Sequence, residues 1–434
     1  MILGAYRGLS SLAPPALRIL LRRRLARGKE DAQRLPERMG VASRQRPPGR
    51  LVWLHAASVG EALSALALVE RVLARLPAAH MLVTSGTLTS ARMMAERLPP
   101  RALHQFIPLD AARWVARFLD HWRPDLALWV ESELWPNLLM QTAGRGVPIV
   151  LVNARMSERS FAGWRRWRDA ARKLIATFKI VLAQTDAYAE RFRALGALRV
   201  EMPGNLKYAA APLAADESKL AALRNEIGAR PVWLAASLHP GEAAQIGPAQ
   251  RILRERVKHA LAIVVPRHPE KGAAMQAAMA APELAIARRT AGEALTPATD
   301  IYIADTLGEL GLFYRVAGAA FVGGSLIPHG GQNPIEPAAL GVPVLHGPHM
   351  FNFAAVIESF DRADAARLVE DPYGLAEQLA DILGRPEVRA RMGETARKLA
   401  EAERGVIDRV MTALEPLLAP LAPSRSEEGR DAAA

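Results

Sequence analysis

The chain has 434 residues, half of them hydrophobic, 23% charged and none of them cysteine. That length suits two or three domains with sizeable cores, and the lack of cysteine excludes a disulfide scaffold, a thiolate metal site and a cysteine nucleophile. The net charge of +12 is concentrated at one end, where the first 50 residues hold twelve Lys or Arg against three acids; a nucleic-acid-binding enzyme would spread its charge along a groove, so no nucleic-acid partner is expected.

Met1 to Leu21 is mostly apolar and is interrupted by Pro14-Pro15. Leu17, Leu20, Leu21 and Leu25 then recur on one helical face, with Arg18, Arg22, Arg23, Arg24 and Arg27 around the rest. Such a basic amphipathic helix lies on an anionic membrane surface or packs on the domain as a solvated basic helix. A spanning helix needs about 20 clean apolar residues, which this stretch narrowly lacks. A signal peptide would put its basic region first. Arginines following the apolar run would keep the body cytoplasmic if it inserted.

After Pro47-Pro48-Gly49, short apolar runs alternate with amphipathic ones. Strands are expected at Leu51–His55, His80–Thr84, Leu103–Ile107, Asp125–Val130, Pro148–Val152, Ile180–Ala183 and Arg199–Met202. The pattern breaks at Gly204-Asn205-Leu206-Lys207 and an Ala/Pro-rich run. It restarts with strands at Val232–Ala235, Leu261–Val265, Leu284–Ala287, Asp300–Ile303, Ala319–Val322 and Val342–Leu345, and from Tyr373 the chain reads as helical. Alternation of this kind predicts βα units on parallel sheets. The two halves open alike, with Trp53-Leu-His-Ala-Ala-Ser58-Val-Gly60-Glu61 and Trp233-Leu-Ala-Ala-Ser237-Leu-His-Pro-Gly241-Glu242. Two doubly wound halves would place their strand C-termini at a shared cleft, where such sheets bind ligands.

Candidate chemistry gathers at those strand ends. Ser58-Val-Gly-Glu61 is a capping box, and on spacing alone Glu61 reads first as a helix cap; the functional reading is a carboxylate at the mouth of the cleft, preceded by His55 and Gly60, acting as a general base. Glu131-Ser-Glu133 ends another strand, where acids are costly unless partnered. Asn153-Ala-Arg155-Met-Ser157 ends the next, before a helix rich in arginine that forms either a solvated face or a clamp for a phosphorylated acceptor. Arg267-His268 ends a strand of the second half. Thr306 and Glu309 have capping-box spacing around Gly308. Phe321 to Glu336 runs strand, glycine loop and helix start, with Asn333 as N-cap, Pro334 at the first helical position and Glu336 as the capping-box acid. With free backbone N–H groups this is an anion cradle as readily as a well-capped turn. No D-x-D or H-E-x-x-H motif occurs, so no metal site is expected.

Taken together, Trp53 to Glu61, Glu131-Ser-Glu-Leu-Trp-Pro-Asn137, Asn153 to Ser157, Gly204 to Lys207, Pro266-Arg-His-Pro269, Gly308-Glu309-Leu310 and Gly323 to Pro337 resemble the 3-deoxy-D-manno-octulosonic acid (Kdo) transferases of Gram-negative lipopolysaccharide synthesis. The resemblance covers nearly the whole chain. It implies an α/β fold of GT-B architecture, two Rossmann-like domains facing a central cleft, with an N-terminal membrane-associated helix. The implied domains are a membrane-associating segment at 1–46, an acceptor domain at 47–204, a linker at 205–215, a donor domain with C-terminal helices at 216–423 and a loose tail at 424–434. Implied too is an inverting, metal-independent and cofactor-free glycosyltransferase at the cytoplasmic face of the inner membrane. CMP-Kdo would be donor and the lipid A precursor lipid IVA acceptor; the alternative is a GT-B enzyme moving a UDP-sugar to a lipid. Glu61 matches the general base, and Glu131 and Lys207 match residues assisting the transition state. Donor contacts match Ser237, Arg267, His268, Gly308, Glu309, Leu310, Asn333, Pro334, Ile335 and Glu336, with Glu336 on the ribose. Acceptor contacts are expected at His55, Ser58, Gly60, Arg155 and Ser157.

Overall fold

A computed structural model describes residues 2–209 and 212–422. Both expected sheets form, each of seven strands with every pairing parallel. The first comprises β1 (Leu51–His55), β2 (His80–Ser85), β3 (Ala102–Phe106), β4 (Leu126–Val130), β5 (Ile149–Ala154), β6 (Phe178–Ala183) and β7 (Val200–Glu201), in the order β3-β2-β1-β4-β5-β6-β7. Its central strands are apolar at nearly every position because helices cover both faces, as parallel sheets require. Trp53 packs its ring against Phe118 and Trp129 at centroid distances of 5.0 and 5.1 Å.

The second sheet comprises β8 (Val232–Leu238), β9 (Leu261–Pro266), β10 (Ile286–Arg288), β11 (Ile301–Ile303), β12 (Ala319–Val322), β13 (Val344–His346) and β14 (Ala366–Leu368), in the order β10-β11-β9-β8-β12-β13-β14. β10 lies about two residues beyond its expected position, because Leu284 closes a turn onto Ala281 and Ala285 N donates to the Asp300 carboxylate. β14 went unexpected: three residues with Arg367 in the middle carry no strand pattern.

The chain divides into two compact units, residues 1–210 with 404–434, and residues 211–403. Three expected boundaries are corrected. Residues 1–46 are not a separate segment: buried Glu30 accepts from Arg24 and Arg38 at 2.7 and 3.0 Å, and Arg38 reaches the Gly86 carbonyl of the first unit at 2.6 Å. The stretch 205–209 belongs to the first unit rather than a linker, since Leu206 is buried and donates its N–H to Asn153 Oδ1 at 2.9 Å. The last helix, Val406–Leu418, joins the first unit rather than the second, burying Val406, Val410, Leu414 and Leu418 while Arg71 and Arg75 pair with Asp408 and Glu415. The expected tail at 424–434 lies outside the described residues.

The N-terminus forms two helices, Ile2–Leu12 and Pro14–Ala26. The face expected to meet lipid is corrected: Leu21 is 1% exposed and, with Leu17, packs on Ala111 and Trp114. The first helix is pinned by Tyr6 donating to Asp110 at 2.9 Å and by Asn137 donating to Ser10 at 2.8 Å. Leu20 of the expected face does point outward, beside Ile2, Leu9 (71% exposed), Leu12 (80%) and Ile19. Among the described residues no helix is long and apolar enough to cross a membrane.

Candidate active site

In the first unit the strand ends bring Glu61, Glu131, Arg155 and Lys207 into one electrostatic group. Ser58 caps helix Val59–Arg75, and its hydroxyl accepts the Glu61 N–H at 3.3 Å as the capping box predicts. The Glu61 carboxylate accepts from Ala57 N and from the Ser58 hydroxyl, both at 2.8 Å. Burial outweighs these two stabilising contacts, and the charge on Glu131 adds to it, so the carboxyl is pushed up to about 7. A carboxylate poised there is suited to take a proton near neutral pH. A Cβ on Gly60 would meet nothing within 4 Å, so space is open beside the helix start.

Glu131 and Asn153 follow β4 and begin the exit of β5 with positive φ of 63° and 55°, conformations that non-glycine residues adopt at a cost. The kink turns the Glu131 carboxylate toward two cations: Arg155 Nε lies 3.3 Å from Oε2, and Lys207 Nζ 3.9 Å from Oε1. Asn153 takes the Leu206 N–H, which fixes the turn that carries Lys207. Burial lowers the Lys207 ammonium below its usual range, against the pull of Glu131. The anchoring role of Asn153 has no signature in one sequence.

One expected acceptor contact is corrected. His55 is 1% exposed, packs at a tilt against the Trp129 ring with 4.7 Å between centroids and faces Thr84, so it is a core residue; burial holds its imidazole near 4, hence neutral. Ser157 is exposed and caps helix Glu158–Arg165, its hydroxyl oxygen taking the Ser160 N–H at 3.2 Å.

In the second unit, Ser237 turns at the end of β8 with φ 53°, and Gly323 presses so close that a Cβ would sit 2.5 Å from the Ser237 carbonyl oxygen. Arg267 and His268 are exposed just past β9, and Arg267 N binds the Leu238 carbonyl at 2.9 Å. The helix after the glycine loop is corrected: it spans only Ile335–Ala339, and Pro334, not Asn333, stands at its N-cap. Asn333 still serves its start, accepting the Ile335 N–H at 3.0 Å, while its amide donates to Glu336 at 3.2 Å. Burial raises the Glu336 carboxyl to about 7, against Asn333 and the charge of Arg267. No capping box forms around Gly308: helix Leu310–Tyr314 has no side-chain cap, and Thr306 donates to Glu309 instead. Burial would raise Glu309, but hydrogen bonds from Arg289, Thr306 and Lys219 bring it down to about 2. Gly308 itself has φ 80°, which a glycine takes without strain.

The expected free N–H groups of the glycine loop are also corrected. Gly324, Ser325 and Leu326 all donate to the buried Glu242 carboxylate. Glu242, His239, His329 and Gln332 were not singled out for the site; the repeat of Gly60-Glu61 by Gly241-Glu242 was the available signal. Among the described residues no group of three or more His, Asp or Glu is placed to hold a metal ion.

Residues 33–210 match the family model described as 3-Deoxy-D-manno-octulosonic-acid transferase (kdotransferase). A 3-deoxy-D-manno-octulosonic acid transferase of Bordetella pertussis is 36% identical over 94% of this chain and 98% of its own. The chain belongs to this transferase family. A second transferase, from Rickettsia bellii, is 32% identical over 93% of this chain and 96% of its own. The transferase is also similar in structure to a glycosyltransferase of Rickettsia africae, with a TM-score of 0.57 at 13% identity, covering 86% of this chain and 99% of that one. At that identity the likeness speaks for fold alone, and the fold is the expected GT-B type.

Proposed function

We propose that this transferase takes Kdo from CMP-Kdo and passes it to a hydroxyl of lipid IVA, with inversion at the anomeric carbon and without a metal or cofactor. The observation that carries the reading is Glu61, a partly buried carboxyl held near 7 beside the Glu131–Lys207–Arg155 group. As carboxylate it accepts the acceptor hydroxyl's proton. The freed oxygen forms its bond to the anomeric carbon as the bond to the CMP phosphate oxygen breaks, and CMP departs. Ser58 and Ala57 keep the Glu61 oxygens aimed. Lys207 and Arg155 offset the negative charge that would otherwise accumulate around the two glutamates, and they suit a phosphorylated acceptor. In the second unit Arg267 meets the phosphate and stabilises its departure, and Glu336 accepts from the ribose.

The outward apolar face of Ile2, Leu9, Leu12, Ile19 and Leu20, bordered by Arg18, Arg22, Arg23 and Arg27, supports lying on an anionic membrane surface, the cytoplasmic face of the inner membrane. On this reading the base belongs to the unit that meets a lipid acceptor. Competition binding tests the donor. CMP should bind and compete with CMP-Kdo while UDP does not; tight UDP binding with none for CMP would replace the donor by a UDP-sugar.

A further inference from the structure

Gly60-Glu61 and Gly241-Glu242 follow the first strand of each unit, yet the two carboxylates have opposite fates. Glu61 holds two donors and remains partly open. Glu242 is 0% exposed and is saturated by four backbone N–H groups. His239 N and Gly324 N donate to Oε2 at 3.0 and 2.6 Å, and Ser325 N and Leu326 N donate to Oε1, both at 2.9 Å. Three of these four belong to the glycine loop. The anion cradled by this strand–loop turn is therefore the protein's own side chain.

We propose that Glu242 is a positioning residue for the donor: it locks the glycine loop so that the residues after it face the nucleotide, whose phosphate binds outside the loop's first turn. This rests on the second unit being the donor site. The lock reaches the site by contact. His239, whose N–H Glu242 holds, packs its ring at a tilt against His329, 3.9 Å between centroids, and its Nε2 lies 3.1 Å from Gln332 Nε2. Burial keeps the His239 imidazole near 4, so it is neutral and its Nε2 accepts from the Gln332 amide. Gln332 precedes Asn333, which holds both Ile335 N and Glu336. From the far side, Ser325 Oγ accepts the Gly347 N–H at 2.8 Å, and the Ser325 carbonyl takes His349 N at 2.9 Å, so the loop is gripped on both sides. Buried carboxylates satisfied by several N–H groups are strong, directional anchors.

Glu242→Gln keeps the shape but leaves one pair of N–H groups facing an amide NH2. Glu242→Asp keeps the charge but shortens the reach. In the full-length protein either change should weaken CMP binding, by calorimetry, and raise the donor KM about tenfold or more, as a loop misplaced by about 1 Å would, with the acceptor KM unchanged. A purely structural cap would lower the melting temperature and leave the CMP Kd and donor KM as in the wild type, which would overturn the proposal. If both variants fail to fold, hydrogen exchange on the wild type decides. The amides of Gly324, Ser325 and Leu326 should be protected without nucleotide and gain nothing from CMP; exchange-labile amides, or added protection on CMP binding, would overturn it. Failure of CMP to bind the wild type at all would instead remove the donor assignment, while the nucleotide-free exchange still tests the lock.

Discussion

The Glu61 carboxyl is flanked by charges of both signs, and this gives two substitutions with opposite expected effects on the pH profile. At about 7, roughly half of Glu61 is ionised at neutral pH and about a tenth at pH 6, so kcat/KM should rise with pH on a limb near 7. Burial is the largest cause of the shift and the Glu131 charge the second. Glu131→Gln removes that charge and leaves Lys207 and Arg155 without their shared partner, so the Glu61 pKa falls. Lys207→Met removes a cation that interacts with Glu61, so the pKa rises. One partly screened charge at this range is worth on the order of one pH unit. The assay is Kdo transfer from CMP-Kdo between pH 5 and 9, read as kcat/KM for the acceptor. The limb should move to acid in Glu131→Gln and to alkali in Lys207→Met, whatever the loss in maximal rate. Limbs that stay in place, or move the same way, would refute Glu61 as the titrating base.

Glu61→Gln should lower kcat by about 10²–10⁴-fold, the usual value of a lost base. The same variant should be more stable at alkaline pH. A carboxyl raised in the folded state contributes stability below its unfolded value of 4.5 and loses it as pH rises through about 7. The full shift is worth about 3 kcal/mol; solvent screening of a partly exposed side chain reduces it to about 1–2 kcal/mol, read by denaturant melts at pH 8 against pH 5. Replacing Leu9, Leu12 and Ile19 together by Asp should abolish binding to anionic liposomes while transfer to a detergent-solubilised acceptor persists; parallel loss of both would make the face structural. Leu414→Ala should cost about 2–5 kcal/mol, and proteolysis should then open the first unit, to which its helix belongs, before the second.

Both sheets were legible in the sequence because buried parallel strands are continuous apolar runs, as at Leu126–Val130 and Leu261–Val265. β14 was not, since three residues around Arg367 carry no period. Glu61 was legible as a capping-box acid, but its displaced pKa was not: burial is the first cause, and the second is Glu131, seventy positions away, turned inward by a positive φ. Lys207 came from the family pattern alone, and only the fold shows Asn153 holding its turn. The glycine loop reads in the sequence as an anion cradle as readily as a well-capped turn. A sequence cannot show that Glu242, more than eighty residues earlier, already fills it. The same limit applied to Leu17 and Leu21, whose helical face suits lipid and protein equally until Trp114 is in place.

The central claim is Kdo transfer driven by Glu61. Full-length protein, CMP-Kdo and lipid IVA, followed by mass spectrometry, test it most directly. The wild type should give lipid product heavier by one or more Kdo units and release one CMP for each, and Glu61→Gln should do both about 10²–10⁴-fold more slowly. Intact CMP-Kdo and unchanged lipid with the wild type, or conversion by Glu61→Gln at the wild-type rate, would contradict it.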